Sequence, residues 1–575
     1  MTKAGIVFLL FLISFQLVAQ ETPGYPQYRS PLDIPLYLSG TFAELRSNHF
    51  HSGIDIRTQG VEGKPVFAIG DGFVSRIAVS PFGFGKALYI NHPEGYTSVY
   101  AHLQRFSPEI EAWVKQQQYA AKSYGVNLYL TADQFVVKKS EQIGKSGNSG
   151  SSGGPHLHFE IRDAASQEPL NPLYFGYQIK DYIRPAINMF AVYPITDFTA
   201  DSAAALSLVN GAAKPLYLPV EGWGEQHRLP QHQLVYGNGK LAFGISVIDQ
   251  HNDSPNKNGV YSLKLKQDNR VLFKYTADRF SFSETRFINS FIDYGYYVEK
   301  QKRLIRTQLD PLNKLGLYES GEGMLTLKPG DTVHMEFVVE DFHRNISRLP
   351  FVLVGRNWPT ENQVLPKPEE GLLVEAGSAF ELVKDDFFLK IPSTAFYRDE
   401  YITLGQDVDT NYLSMVYAIG KAVIPVHKAY QLGIRIPENT IAAKVYMVII
   451  DRKGKKTALT STLRDGFIEA SPREMGNFAL LADTVSPQVR PLNFKSGKLL
   501  AGINKLKISI KDDESGIDDY SASLNGEWLL MAYDAKNEVI IYEIDERLKK
   551  GNNNLIVNVR DKVGNSTLLE AVLVY

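Results

Sequence analysis

Short apolar runs closed by Gly, Pro or Asn recur along almost the whole chain, and in its first third one stretch carries a helical signature. Pro65-Val66-Phe67-Ala68-Ile69, Phe73 to Val79, Ala87 to Asn91 and Thr97 to Leu103 are examples, and turn clusters such as Gly237-Asn238-Gly239 and Asn256-Lys257-Asn258-Gly259 continue the pattern. Such spacing predicts antiparallel strands. The chain has 575 residues, too many for one hydrophobic core, and ~150 residues per domain predicts about four domains. The expected fold class is mainly β: an N-terminal antiparallel β domain with one inserted helix, then Ig-like β-sandwich domains.

The helix is predicted over Ser107 to Tyr124. Ser107 suits the N-cap, Pro108 the first turn, and Glu109 and Glu111 the positive end of the helix dipole. Ile110, Trp113, Val114 and Ala121 share a face, and Gly125 can end the helix. The predicted units are a signal peptide over 1–19, an extended lead-in over 20–40, and a first β domain over 41–177. A sandwich-like domain over 181–360, a β-rich domain over 361–483 and an Ig-like sandwich over 484–575 follow. The signal is read from Lys3, the apolar run Ile6 to Phe15 and the small Ala19. That run is short for a span of ~20 residues, so an exported protein starting near Gln20 is favoured over an uncleaved anchor. Two passages echo each other: Asp341 precedes Asn345 and Ser347, and Asp561 precedes Asn565 and Ser566, each after an apolar run. This predicts the same strand–turn–strand corner in two sandwich modules.

Composition removes several classes of function. The 61 basic and 63 acidic residues give a net charge of −2, with no basic footprint for nucleic acid. Cysteine is absent, which excludes disulfides, thiolate metal sites and cysteine nucleophiles. A metal site here must use His, Asp or Glu. Gly144-Lys145-Ser146 lacks the upstream Gly of a phosphate loop, since Lys139 stands there. Asp512-Asp513-Glu514-Ser515-Gly516 lacks calcium-loop spacing and reads as a solvated turn.

Histidine supplies the positive signal. Six of the 12 His lie between His49 and His158. His51-Ser52-Gly53-Ile54-Asp55 sets a His four residues before an Asp, and His102 ends an alternating run. His156, His158 and Glu160 alternate with Leu157, Phe159 and Ile161, so on a strand they share one face. Zinc accepts imidazole and carboxylate, and a catalytic site keeps three protein ligands. His51, Asp55 and one of His156 or His158 satisfy that, and spacing leaves open which one.

These motifs, in this order, resemble the lysostaphin-like, LytM-type zinc metalloendopeptidases of peptidoglycan. The resemblance also rests on Gly63-Lys64-Pro65-Val66, Gly70-Asp71-Gly72, Tyr89-Ile90-Asn91-His92 and Val99-Tyr100-Ala101-His102-Leu103. It further rests on Ile143-Gly144, Gly147, Gly150 and Gly154 through Glu160, and covers about a quarter of the chain. The resemblance implies His51, Asp55 and His158 as ligands of one zinc ion, and His102 and His156 as catalytic residues. It implies an antiparallel β domain with a long groove and hydrolysis of peptide bonds in wall cross-links. The long segment between His102 and Ile143 departs from the family pattern. It can wall the groove, occlude it, or pack away from it.

Tyr100 is expected on the face of His102, where it can support it or the substrate, and Glu160 can orient a neighbouring imidazole; groove-wall packing and a solvated strand-end charge are the competing readings. The expected function is an exported, zinc-dependent endopeptidase acting on peptidoglycan peptides, in the periplasm, the envelope or outside the cell. The C-terminal β domains would position it by binding wall or an envelope protein. Two rivals stand beside it: a non-catalytic groove that regulates another wall hydrolase, and a metallopeptidase acting on an exported protein.

Overall fold

A computed structural model describes residues 24–195, 207–359 and 370–575. The expected signal peptide lies outside the described residues. The protein is mainly β, and Pro108–Ala121 is the longest helix among the described residues. Among the described residues, no helix is long and apolar enough to cross a membrane.

The first domain is built on an antiparallel sheet in the order Leu38–Gly40, Ile54–Arg57, His156–Asp163, Tyr96–Ala101, Lys86–Asn91, Gly72–Val79 and Val126–Tyr129. Strand alternation sorts the central strand. Leu157, Phe159 and Ile161 are fully buried in the core beneath the sheet. Burying each such side chain contributes ~1.5–3 kcal/mol, and their neighbours on the opposite face are thereby fixed. The register sets His158 across from Asp55 on one side and Ala101 on the other.

The lead-in is part of this domain rather than a detached extension. Leu38–Gly40 forms the edge strand, and the Tyr25 and Tyr28 rings pack on Phe175 at 4.9 and 5.9 Å. The next segment crosses a domain border. Phe42, Ala43 and Phe50 are buried in the core of the second domain, with Phe243, Phe273 and Phe291. Two apolar anchors thus hold the loop that leads into His51.

The inserted helix ends in a left-handed Lys122 (φ 46°), short of Gly125. Ser107 occupies the N-cap without a side-chain cap bond. Glu111 instead accepts from the Phe106 backbone N–H at 2.8 Å and pairs with Lys86 at 2.6 Å. Ile110 and Val114 are buried, and Val126–Tyr129 then extends the main sheet beside Gly72–Val79.

The second domain carries a large sheet running from Ala186–Ile195 to Ile346–Gly355. The third has two five-stranded sheets, and the C-terminal module two four-stranded sheets, each domain around its own core. The echoed corners share one geometry. The Asp341 Oδ1 accepts the Asn345 N–H at 2.9 Å, and Asp561 Oδ1 accepts the Asn565 N–H at 2.8 Å. The hydroxyl matching Ser347 is that of Thr567, not Ser566: each donates to a Pro carbonyl, Pro185 or Pro487, at 2.5 Å.

Candidate metal centre

Three side chains from two strands and a loop converge. The His51 N–H donates to the Glu44 carbonyl at 3.0 Å, and its Nδ1 donates to the Thr41 carbonyl at 2.8 Å. That leaves the His51 Nε2 lone pair facing inward. His158 donates through Nε2 to Glu160 Oε1 at 2.9 Å and presents Nδ1. Arg46 takes Asp55 Oδ2 at 3.0 Å, so Oδ1 is the oxygen left to the site. His51 Nε2, His158 Nδ1 and Asp55 Oδ1 stand 3.0, 3.0 and 3.1 Å from one another.

This triangle fits a zinc ion. Two Zn–N bonds of ~2.0–2.1 Å at the tetrahedral angle set donors ~3.3 Å apart. Three such atoms at this spacing need a positive charge between them, supplied by a shared proton or by a metal ion. The field of the site favours that charge. Burial alone would raise the Asp55 carboxyl, but His51 and the hydrogen bonds from His156 and His158 hold it well below the usual carboxylate range. Burial pulls His158 down, and Asp55 and Glu160 outweigh it, pushing the imidazole up to about 9. Glu160 is wholly buried rather than solvated. Desolvation opposes its charge, yet Arg162, His158 and Ser52 bring it down to about 2.

His102 and His156 line the same space. His102 donates from Nδ1 to the Ser149 carbonyl at 2.9 Å, and His156 from Nδ1 to the Gly154 carbonyl at 2.8 Å. Each therefore turns Nε2 inward; His156 Nε2 is 3.4 Å from Asp55 Oδ1, and the two rings are 4.8 Å apart. Desolvation first, then the neighbouring His158 and His156, lowers His102 to about 3.

Tyr100 departs from the expectation. Strand alternation stops at Ala101, because His102 takes a left-handed backbone (φ 58°) and swings back over the sheet. Tyr100 thus points into the core, packs on Phe159 at 5.4 Å, and accepts the Ile69 N–H at 3.0 Å. His92 bonds Ser98 and the Asp71 carbonyl, a structural role.

Sequence reading missed several supports. Thr41 and Arg46 act from the anchored loop. Phe84 stacks on His158 at 4.9 Å, and its carbonyl accepts the His102 N–H at 2.9 Å. Backbone acceptors leave no mark in residue identity. Ser52, next to His51, is a visible hint: its hydroxyl donates to Glu160.

Residues 49–131 match peptidase family M23. The chain carries a peptidase family M23 domain. An uncharacterized metalloprotease of Haemophilus influenzae is 33% identical over 159 residues, 27% of this chain and 28% of that protein. The DD-carboxypeptidase/endopeptidase Mpg of Neisseria meningitidis is 32% identical over 129 residues, 22% of this chain and 23% of that protein. The chain thus spans about a quarter of the length of these curated relatives. Among solved structures, the catalytic domain of the prophage-encoded M23 protein EnpA from Enterococcus faecalis is 24% identical. That likeness covers 27% of this chain and 98% of that one, with a TM-score of 0.19. Residues 372–483 match a Zu5-like domain.

The insert connects the M23 domain to the C-terminal module. Lys115 pairs with Asp545 at 2.6 Å, Tyr119 packs on Trp528 at 5.3 Å, and the Arg547 guanidinium lies 3.8 Å above the Tyr119 ring. Lys536 of that module donates to the carbonyls of Asn148 and Ser152, in the loop that bears the acceptor of His102. A cavity of about 470 Å³ lies between the two, walled by Lys86, Glu111 and Tyr119 on one side and Tyr533, Asp534 and Lys536 on the other.

Proposed function

We propose that the protein is an exported, zinc-dependent endopeptidase that hydrolyses peptide bonds in peptidoglycan cross-links. The observation that carries this reading is the convergence of three potential ligand atoms at 3.0–3.1 Å beside two further imidazoles that both present Nε2. Among the relatives, the Vibrio cholerae protein named peptidoglycan DD-endopeptidase ShyC, 33% identical over 99 residues, supports the substrate class.

His51, Asp55 and His158 would hold the ion. When bound, zinc supplies Lewis-acid polarisation of a carbonyl and brings water toward a pKa of ~7. The remaining work falls to this chain. His102 and His156 turn their Nε2 atoms to one space and can accept a proton from water and return it to the leaving amine. Glu160 and Thr41 fix the tautomers of His158 and His51. Arg46 confines Asp55 to one donor oxygen.

The test uses mature protein from Gln20, loaded with zinc and incubated with purified peptidoglycan, beside a His51→Ala control. Mass spectrometry of the released fragments reads the result. Loss of cross-linked fragments in the native sample alone supports the proposal and names the bond. No change in either sample overturns it, in favour of a protein substrate or a regulatory groove.

A further inference from the structure

The two echoed modules share more than a corner. In each, an Asp in the incoming linker meets an Asp at a strand end and the corner Asp: Asp181 groups with Asp249 and His251 and also with Asp341 and His343 in the second domain, and Asp483 groups with Asp512 and Asp561 in the C-terminal module. The linker Asp caps the N–H two residues on, Ile183 at 3.0 Å and Val485 at 2.9 Å. The corner Asn bonds the linker carbonyl, Asn345 to Asp181 at 3.3 Å and Asn565 to Asp483 at 3.0 Å.

Against this shared frame the two differ in how the carboxylates are satisfied. In the C-terminal module, Asp483 Oδ2 accepts from the Ser515 hydroxyl at 2.7 Å and the Ser515 N–H at 3.2 Å. Asp512 Oδ1 accepts from the Gly516 N–H at 2.7 Å. In the second domain, Asp181 Oδ2 and Asp249 Oδ1 have no hydrogen-bond partner, although Asp181 is fully buried at its side chain and Asp249 is 2% exposed. Among the described residues, no Lys or Arg pairs with Asp181, Asp249 or Asp341. A buried carboxylate oxygen without a donor or counter-charge costs several kcal/mol.

Two imidazoles face these oxygens instead. His343 Nδ1, itself unpartnered, lies 3.5 Å from Asp181 Oδ2. His251 Nε2 lies 3.5 Å from Asp249 Oδ2 and 3.9 Å from Asp181 Oδ2. The Asn258 Nδ2 lies 3.4 Å from His251 Nδ1, while its Oδ1 is buried without a partner; with the amide turned over, Oδ1 accepts the Nδ1–H and leaves the Nε2 lone pair for a ligand. In the C-terminal module, Val563 stands after Asp561 where His343 follows Asp341. Asp249 and His251 also border a void of about 20 Å³, room for one water or ion.

We propose that Asp181, Asp249, His251 and His343 form a second metal site, for a divalent transition-metal ion of the zinc class, with Asp341 as adjoining charge. The mixed imidazole and carboxylate set suits zinc, whereas calcium and magnesium take oxygen donors. His343, a quarter exposed, gives the ion a way in. The site ties the linker after the M23 domain to the second domain. Phe342, between Asp341 and His343, packs on Tyr174 of the M23 domain at 5.3 Å, so the ion would brace that border.

The test is metal counting on the full mature chain, stripped with chelator, reloaded with zinc and desalted. Two zinc ions per chain are expected in the wild type, one in His51→Ala, and one in the His251→Gln/His343→Gln double variant. One ion in the wild type and none in His51→Ala overturns the site. Should the double variant fail to fold, an anomalous-difference map at the zinc edge decides on wild-type crystals. A peak between Asp181 and His251 is expected, and its absence at full occupancy of the catalytic site overturns the proposal.

Discussion

Lys536 in the C-terminal module donates to the backbone carbonyl of Ser152, 3.1 Å away across 384 residues of chain, and Ser152 Oγ lies 3.2 Å from His156 Nδ1. The last module therefore touches the loop that carries the acceptors of both His102 and His156. Its contacts on the inserted helix hold it in that place.

This contact predicts that the module restrains access to the groove. Lys536→Ala removes both charged hydrogen bonds, to Asn148 and Ser152; discounted for exposure they are worth about 1 kcal/mol together, a shift of roughly fivefold in the balance of closed and open arrangements. The expected outcome is a rise of about that size in kcat/KM for peptidoglycan, with zinc content unchanged. A steady-state comparison checks it, and an equal or lower rate contradicts it.

Glu160 should matter beyond its single bond to His158. It is ionised, wholly buried, and shared between His158 at 2.9 Å and Arg162 at 2.6 Å. Glu160→Gln should weaken zinc binding 10–100-fold, the usual cost of losing such a supporting carboxylate. It also leaves Arg162, 6% exposed, without its anionic partner, which should destabilise the domain by ~3–5 kcal/mol. Competition with a zinc indicator and a chemical melt read the two effects separately. Unchanged zinc affinity would sink the first.

The ligand and proton-handling roles separate by metal content. His102→Ala leaves the His51, Asp55 and His158 triangle intact, so zinc binding should persist while kcat falls ~10²–10⁴-fold. His51→Ala should lose that ion and activity together. An active, zinc-bound His102→Ala protein would reassign proton transfer to His156 alone.

The site was legible where chemistry follows strand period. His156, His158 and Glu160 share a face because Leu157, Phe159 and Ile161 must be buried, and one sequence shows both halves. Tyr100 misled for the complementary reason: the period of two fails at His102, where the backbone turns left-handed, and residue identity does not announce that. Thr41, Ser149 and Gly154 act through carbonyls, which every residue possesses. The anchoring of Phe42 and Phe50 in another domain's core, and the reach of Lys536, depend on chain folded far away. The echoed corners were visible, but the linker partners Asp181 and Asp483 were not, since they lie some 160 and 80 residues before the Asn they meet.

A final prediction concerns acid. His427 stacks on Phe287 at 4.4 Å and packs on Tyr397 at 5.2 Å, both in the second domain's core, so it joins that domain to the third. Desolvation, then Lys428, Arg286 and Arg473, lowers its pKa to about 4, against ~6.5 unfolded. The unfolded chain therefore binds this proton first as pH falls. The stabilising contribution is complete above pH ~6.5 and is lost progressively down to about 4. His427→Gln cannot titrate, so its melting temperature should fall less than that of the wild type between pH 7 and pH 4.5. Melts at the two pH values check the difference. Parallel losses in both proteins would show that His427 does not set the acid sensitivity of this junction.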